Sequence, residues 1–212
     1  MNKLKTFLAA ASLAFVATTV SALPVITVEN AGQMTTTQTG VTTVDFNDGT
    51  IGDYTATGFA DYTIFGTPSG TTQSASPLGV TDKFLSVPNP ISSGTAAFSL
   101  NGDFNYFGLF WGSVDTYNTL SFWSNNSVVA SFTGAQITPL LANGAQANWT
   151  SNRYVNFFFN GTDTFDEVRL RSTSYAFETD NHSFGVVPEP SAIALFGLGL
   201  FGLAFAARRK RV

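Results

Sequence analysis

The chain has 212 residues, of which 44% are hydrophobic and only 11% charged, enough apolar material for one substantial core. Its formal net charge is −4, but residues 23–190 hold all fourteen carboxylates against four bases, Lys83, Arg153, Arg169 and Arg171, a formal charge of −10. Such a surface repels nucleic acid and anionic lipid headgroups, and the absence of cysteine removes thiol catalysis, thiolate metal sites and disulfides.

Residues 1–22 have the three parts of a secretory signal: Lys3 and Lys5, an apolar core starting at Phe7, and small residues ending at Ala22. Passage through the Sec translocon and cleavage by signal peptidase between Ala22 and Leu23 are expected. A permanent membrane helix fits less well, because the run is short and diluted by Ser12, Thr18, Thr19 and Ser21. Residues 23–40 are polar and Thr-rich, a lead-in whose weak alternation suits either an edge strand or loose order.

From 41 to 186 short β-branched and aromatic runs alternate with Gly, Asn, Asp, Ser and Pro. The runs lie at 41–46, 57–65, 84–87, 96–100, 106–111, 119–123, 127–133, 154–159, 165–172 and 175–187. This spacing predicts an all-β ectodomain, an antiparallel two-sheet sandwich of jelly-roll type. YFGLFW (106–111) and YVNFFF (154–159) are almost wholly apolar and suit central strands covered on both faces, whereas 165–172 alternates in part. Residues 66–82, 88–94 and 139–149 read as loops, the last with room for a helical turn.

Residues 191–207 carry no charge and reach the lower limit for a helix crossing a bilayer core of about 30 Å. Pro190 suits the start of that helix. Arg208, Arg209, Lys210 and Arg211 follow at once, and the positive-inside tendency puts them in the cytoplasm with the β domain outside. A buried helix of a globular domain would need a polar face, which this segment lacks.

The order Val187-Pro188-Glu189-Pro190, apolar helix and basic end, behind a signal peptide, resembles the PEP-CTERM sorting signal of exosortase-dependent surface proteins of Gram-negative bacteria. The resemblance covers residues 187–212. It implies a temporary membrane anchor, cutting by exosortase near Pro188, Glu189 and Pro190, and passage of the body to the cell surface or extracellular matrix, in biofilm or exopolysaccharide association. The stretches VDFN (44–47), YFGLFWGS (106–113) and FETDNHSF (177–184) are similar to the jelly-roll-like bodies of such proteins, a likeness that bears on fold alone.

No catalytic residues are expected. His182 is the single histidine and stands near no serine motif, so a nucleophilic triad has no basis. Glycoside cleavage needs two carboxylates facing across a sugar; Asp166, Glu167 and Glu178 are the nearest candidates, but adjacent Asp166 and Glu167 should point to opposite faces of a strand. No cofactor is required. A structural calcium ion would draw on Asp45, Asn47 and Asp48 near the start of the domain and Glu178, Asp180 and Asn181 near its end, if the first and last strands are neighbours. Asn47-Asp48-Gly49 is equally a tight-turn sequence.

Trp111 and Trp123 sit in apolar runs and read as core, while Trp149, in a polar loop, reads as an exposed platform for a glycan. The expectation is therefore a non-enzymatic exported β-sandwich, with a carbohydrate-binding module and a glycoside hydrolase as alternatives.

Overall fold

A computed structural model describes residues 23–67, 70–137, 139–160 and 163–188. The expected signal peptide, Glu189, Pro190, the apolar segment and the four bases Arg208, Arg209, Lys210 and Arg211 lie outside the described residues.

The described chain is almost entirely strand and loop. In chain order the strands are β1 (Val25–Val28), β2 (Thr42–Val44), β3 (Thr55–Ala60), β4 (Thr63–Phe65), β5 (Gly70–Thr71), β6 (Ser74–Ala75), β7 (Phe84–Val87), β8 (Gly94–Phe104), β9 (Tyr106–Trp111), β10 (Asn118–Ser124), β11 (Ser127–Thr133), β12 (Arg153–Phe158), β13 (Phe165–Ser172) and β14 (Phe177–Gly185). The helical turn expected within 139–149 is not there; a 3₁₀ turn, Gly134–Gln136, precedes it, closed by a capping box between Thr133 and Gln136.

Two antiparallel sheets form the body. The larger runs β1-β12-β9-β14-β7-β4, with β2 also pairing β14; the smaller runs β11-β10-β13-β8-β3. Between β7 and β14 every connection crosses from one sheet to the other, except the β10–β11 hairpin. That hairpin closes through Asn125 and Asn126, both at positive φ, 50° and 62°, as a two-residue turn of matching twist demands. The predicted run at 57–65 is two strands: β3 joins the smaller sheet and β4 the larger.

The core lies between the sheets and is built of phenylalanine. Phe122 of β10 meets Phe107 of β9 and Phe157 of β12 across the gap at 5.7 and 5.1 Å, and Phe165 within its own sheet at 5.1 Å. Trp111 stacks on Phe177 at 4.3 Å, and Tyr54 lies between Phe98 and Phe184. Each fully buried ring contributes on the order of 2–3 kcal/mol, so a core of this extent holds the fold without cross-links.

β9 is buried at all six positions and β12 at five, as their unbroken apolar runs require. Their inner residues, Phe107, Leu109, Trp111, Val155 and Phe157, belong to the main core. Their outer face is covered by the amino-terminal segment. β1 pairs with β12 as an edge strand, Asn156 donates to Glu29, and the Thr36 and Tyr106 hydroxyls are joined at 2.5 Å. Of the two outcomes open for residues 23–40, the edge strand is the one realised.

Candidate functional site

The described chain leaves the body at the end of β14. Val186 is 69% exposed, but Val187 is buried against Tyr106, Phe158 and Val41 in a small second cluster. Both of its backbone groups are held by one side chain: Asn105 Nδ2 donates to the Val187 carbonyl at 2.8 Å, and the Val187 N–H donates to Asn105 Oδ1 at 2.8 Å. Asn105 is itself buried, and its backbone bonds Gly185 and Phe159. The body therefore grips the chain up to Val187 and releases it at Pro188, which is exposed.

The chain from Val186 on, the gripped Val187 included, matches a family model described as the PEP-CTERM protein-sorting motif, over residues 186–210. The chain carries a PEP-CTERM sorting motif. The PEP-CTERM match supports an exported protein targeted by exosortase, held first as a membrane-anchored precursor and then placed at the cell surface. It covers a short terminal part of the chain and leaves the β body unassigned. No curated protein and no solved structure matches the chain.

The six residues expected to share a cation are only partly brought together. β2 pairs with β14, so the two ends of the domain are neighbours as expected. Asn47, Asp180 and Asn181 line one small pocket of about 110 Å³ with Asp82 and Met34. Asp45 accepts from the Asn47 backbone and amide, and Asp48 accepts from the Thr50 N–H and hydroxyl, which is turn chemistry. The Thr50 bonds, chiefly that from its backbone, hold the Asp48 carboxyl below its ordinary range.

Glu178 is directed elsewhere. Its two oxygens accept from the Ala75 N–H of β6 at 2.9 Å and the Ser113 hydroxyl at 3.0 Å. Burial pushes its pKa up to about 7, against the lowering effect of these bonds. Asp180 is raised to about 7 as well, first by burial and then by the nearby charges of Asp45 and Asp82. Among the described residues no three His, Cys, Asp or Glu side chains are grouped to hold a metal ion.

His182 lies wholly inside the core, edge-on to Phe46 and Phe107. Its Nδ1 meets the Tyr54 hydroxyl at 3.0 Å and its Nε2 the Thr179 hydroxyl at 2.8 Å. Burial lowers its pKa to about 3, which keeps it neutral. With no exposed surface, it cannot touch a substrate.

Trp111 is in the core as expected, but the other two tryptophans are placed differently. Trp149 is only half-exposed: its ring packs near Phe110, and a Cβ built on Gly79 would stand 3.1 Å from it. Trp123, expected in the core, instead faces outward from the smaller sheet. There the Arg169 guanidinium lies over its ring at 3.7 Å, and the Trp123 Nε1 donates to the Ser121 hydroxyl. Asp166 and Glu167 also depart from simple alternation. A register shift between β13 and β8 turns both carboxylates into one groove, where Asp166 accepts from the Asn125 N–H and Glu167 pairs with Arg169 and Thr57.

Sequence reasoning missed Asn105 and the outward Trp123. For Trp123 a signal existed, since Leu120-Ser121-Phe122-Trp123 alternates and sends Ser121 and Trp123 to the same face. For Asn105, one polar residue between two long strands carries no mark of its partner 82 positions on.

Proposed function

We propose that this is an exported surface or extracellular-matrix protein. A signal peptide ending at Ala22 sends it through the Sec translocon, exosortase separates it from its apolar carboxy-terminal helix, and its body associates with exopolysaccharide without catalysing a reaction. The observation that carries the reading is the PEP-CTERM match at 186–210, which overlaps the body only at its last residues, Val186 and the gripped Val187. The strand order of β7 to β14, with crossings on either side of one hairpin, supports a jelly roll as the architecture of that body.

The non-enzymatic reading is supported by the occupied state of the titratable groups. His182 is enclosed, Glu178 is bonded to Ala75 and Ser113, and Asp166 and Glu167 are each engaged by neighbours. A carbohydrate-binding body is the second reading, favoured by the aromatic and polar grooves beside Trp123 rather than by Trp149. A glycoside hydrolase would have to turn over some member of a broad polysaccharide panel, and none is expected to be cut.

The sorting reading is tested by replacing Pro188, Glu189 and Pro190 together with alanine. The longer form should then accumulate in the inner membrane, and unchanged release to the surface would defeat the reading. The proposed body needs no cofactor, so millimolar calcium should leave its melting temperature unchanged. A rise of several degrees would restore the Asp180 pocket as a cation site.

A further inference from the structure

The outer face of the smaller sheet is built differently from the rest of the body. All three register shifts among its described strand pairs flank one region: at Ala56/Ala60 in β3, Phe122/Trp123 in β10 and Phe165/Glu167 in β13. Bulges of this kind re-aim side chains, and here they accompany Phe59, Asp166 and Glu167 on the outer surface, to which alternation along β10 already turns Trp123. Trp123 forms the wall between two grooves of about 250 and 300 Å³.

The first groove holds the charge of interest. Arg169 and Arg171 line it with Phe59, Trp123 and the hydroxyls of Ser121 and Ser131, and no carboxylate does. Phe59 is 50% exposed, and the Arg169 guanidinium, 5.5 Å from its ring centroid, also covers Trp123. Arg169 is balanced by Glu167, but Arg171 is exposed and its charge faces outward from the sheet. Two of the four bases between residues 23 and 190 thus meet in one groove of an otherwise acidic body. The second groove reverses the pattern, with Asp166, Glu167, Asn125 and Asn126 as hydrogen-bonding groups.

We propose that this face binds an acidic oligosaccharide lying across Trp123, with a uronate carboxylate paired to Arg171 and sugar hydroxyls bonded to the Asp166–Asn126 side. The proposal deepens the exopolysaccharide association above and rests on it for the source of the ligand. Charge complementarity selects the occupant. A guanidinium fork matches a carboxylate, aromatic faces match the C–H face of a sugar ring, and hydroxyl-lined walls match a ligand rich in hydroxyls. Nucleic acid, with a charge on every phosphate, would be repelled by Asp166 and Glu167. The negative charge of the rest of the body confines an acidic glycan to this groove, because it is repelled elsewhere and screened beyond about 8 Å at physiological salt.

The test is calorimetric titration of the full-length chain in detergent with a xylo-oligosaccharide bearing a single glucuronate, and with the unsubstituted xylo-oligosaccharide of equal length as the neutral probe. The glucuronate-bearing oligomer should bind at least tenfold more tightly, and added salt should weaken it. Arg171→Gln, an exposed change that should leave the melting temperature unaltered, and Trp123→Ala should each lower affinity about tenfold or more; Trp149→Ala should not. Equal binding of the two probes, absence of binding, or an Arg171→Gln variant that binds normally would overturn the proposal. If binding fails while the exported protein still co-purifies with matrix, this face alone is wrong. If the purified chain binds but the protein never reaches the matrix, the matrix reading fails and the face stands.

Discussion

Three buried groups set the response of this protein to pH. Glu178 and Asp180 titrate near 7 in the fold and near 4 to 4.5 when unfolded, so the folded state holds their protons more tightly. Their contribution is full below the unfolded pKa and is lost as pH rises through about 7. His182 runs the other way: held neutral down to about 3, its contribution is present above 6.5 and is lost as pH falls toward 3. Between about pH 5 and 8 the two carboxyls prevail, and the body should melt higher at the acidic end. Glu178→Gln keeps an acceptor for Ala75 and removes a titration on the order of 3 kcal/mol, so thermal scans at pH 5 and 8 should lie several degrees closer together in that variant. Equal narrowing in an Asp53→Asn control on the surface would show that Glu178 is not the source.

Asn105 acts at the same scale. Asn105→Ala leaves the Val187 N–H and carbonyl buried without their partner, at a cost of about 1–3 kcal/mol. The variant should melt several degrees lower, and limited proteolysis should cut near Val187 faster than in the parent chain. An unchanged cutting rate would show that the grip on Val187 is not what orders the end of the body.

At the scale of elements, β9 shows how far apolar pattern carries. Its run of six was legible as a doubly covered strand because both faces had to be buried, and the sheet places it between β12 and β14. What covers its outer face was not legible, since Thr36 reaches Tyr106, and Glu29 the neighbouring Asn156 of β12, from a polar segment remote in sequence. One residue of β9 cannot carry a side chain: a Cβ on Gly108 would stand 2.5 Å from the Tyr106 hydroxyl and 2.6 Å from that of Tyr154. Gly108→Ala should therefore destabilise the body by about 1–3 kcal/mol through overpacking, read as a lower midpoint in urea. A neutral result would mean that the two tyrosines move aside freely.

The smaller sheet marks the limit of period-two reasoning. Strict alternation along 120–123 was enough to turn Trp123 outward, but its apolar neighbours suggested core. The Asp166–Glu167 pair was beyond reach, because a bulge depends on the partner strand β8 as much as on β13 itself. The partial cover of Trp149 was not legible for a similar reason. Its cover comes from Gly79 and Phe110, neither of which is near it in the chain.

For the whole molecule, the proposed amino-terminal signal, the PEP-CTERM motif and one acidic body divide the work. The body is a phenylalanine-cored pair of sheets without a disulfide, and residues 23–190 carry a formal charge of −10. Its last gripped residue, Val187, adjoins Pro188, so the folded body and the PEP-CTERM motif meet without a spacer. Terminal sequencing and intact mass of the protein recovered from the surface of producing cells test this account most directly. The account predicts a chain that begins at Leu23 and ends within 188–190; a recovered chain that still carries residues 191–212 would contradict it.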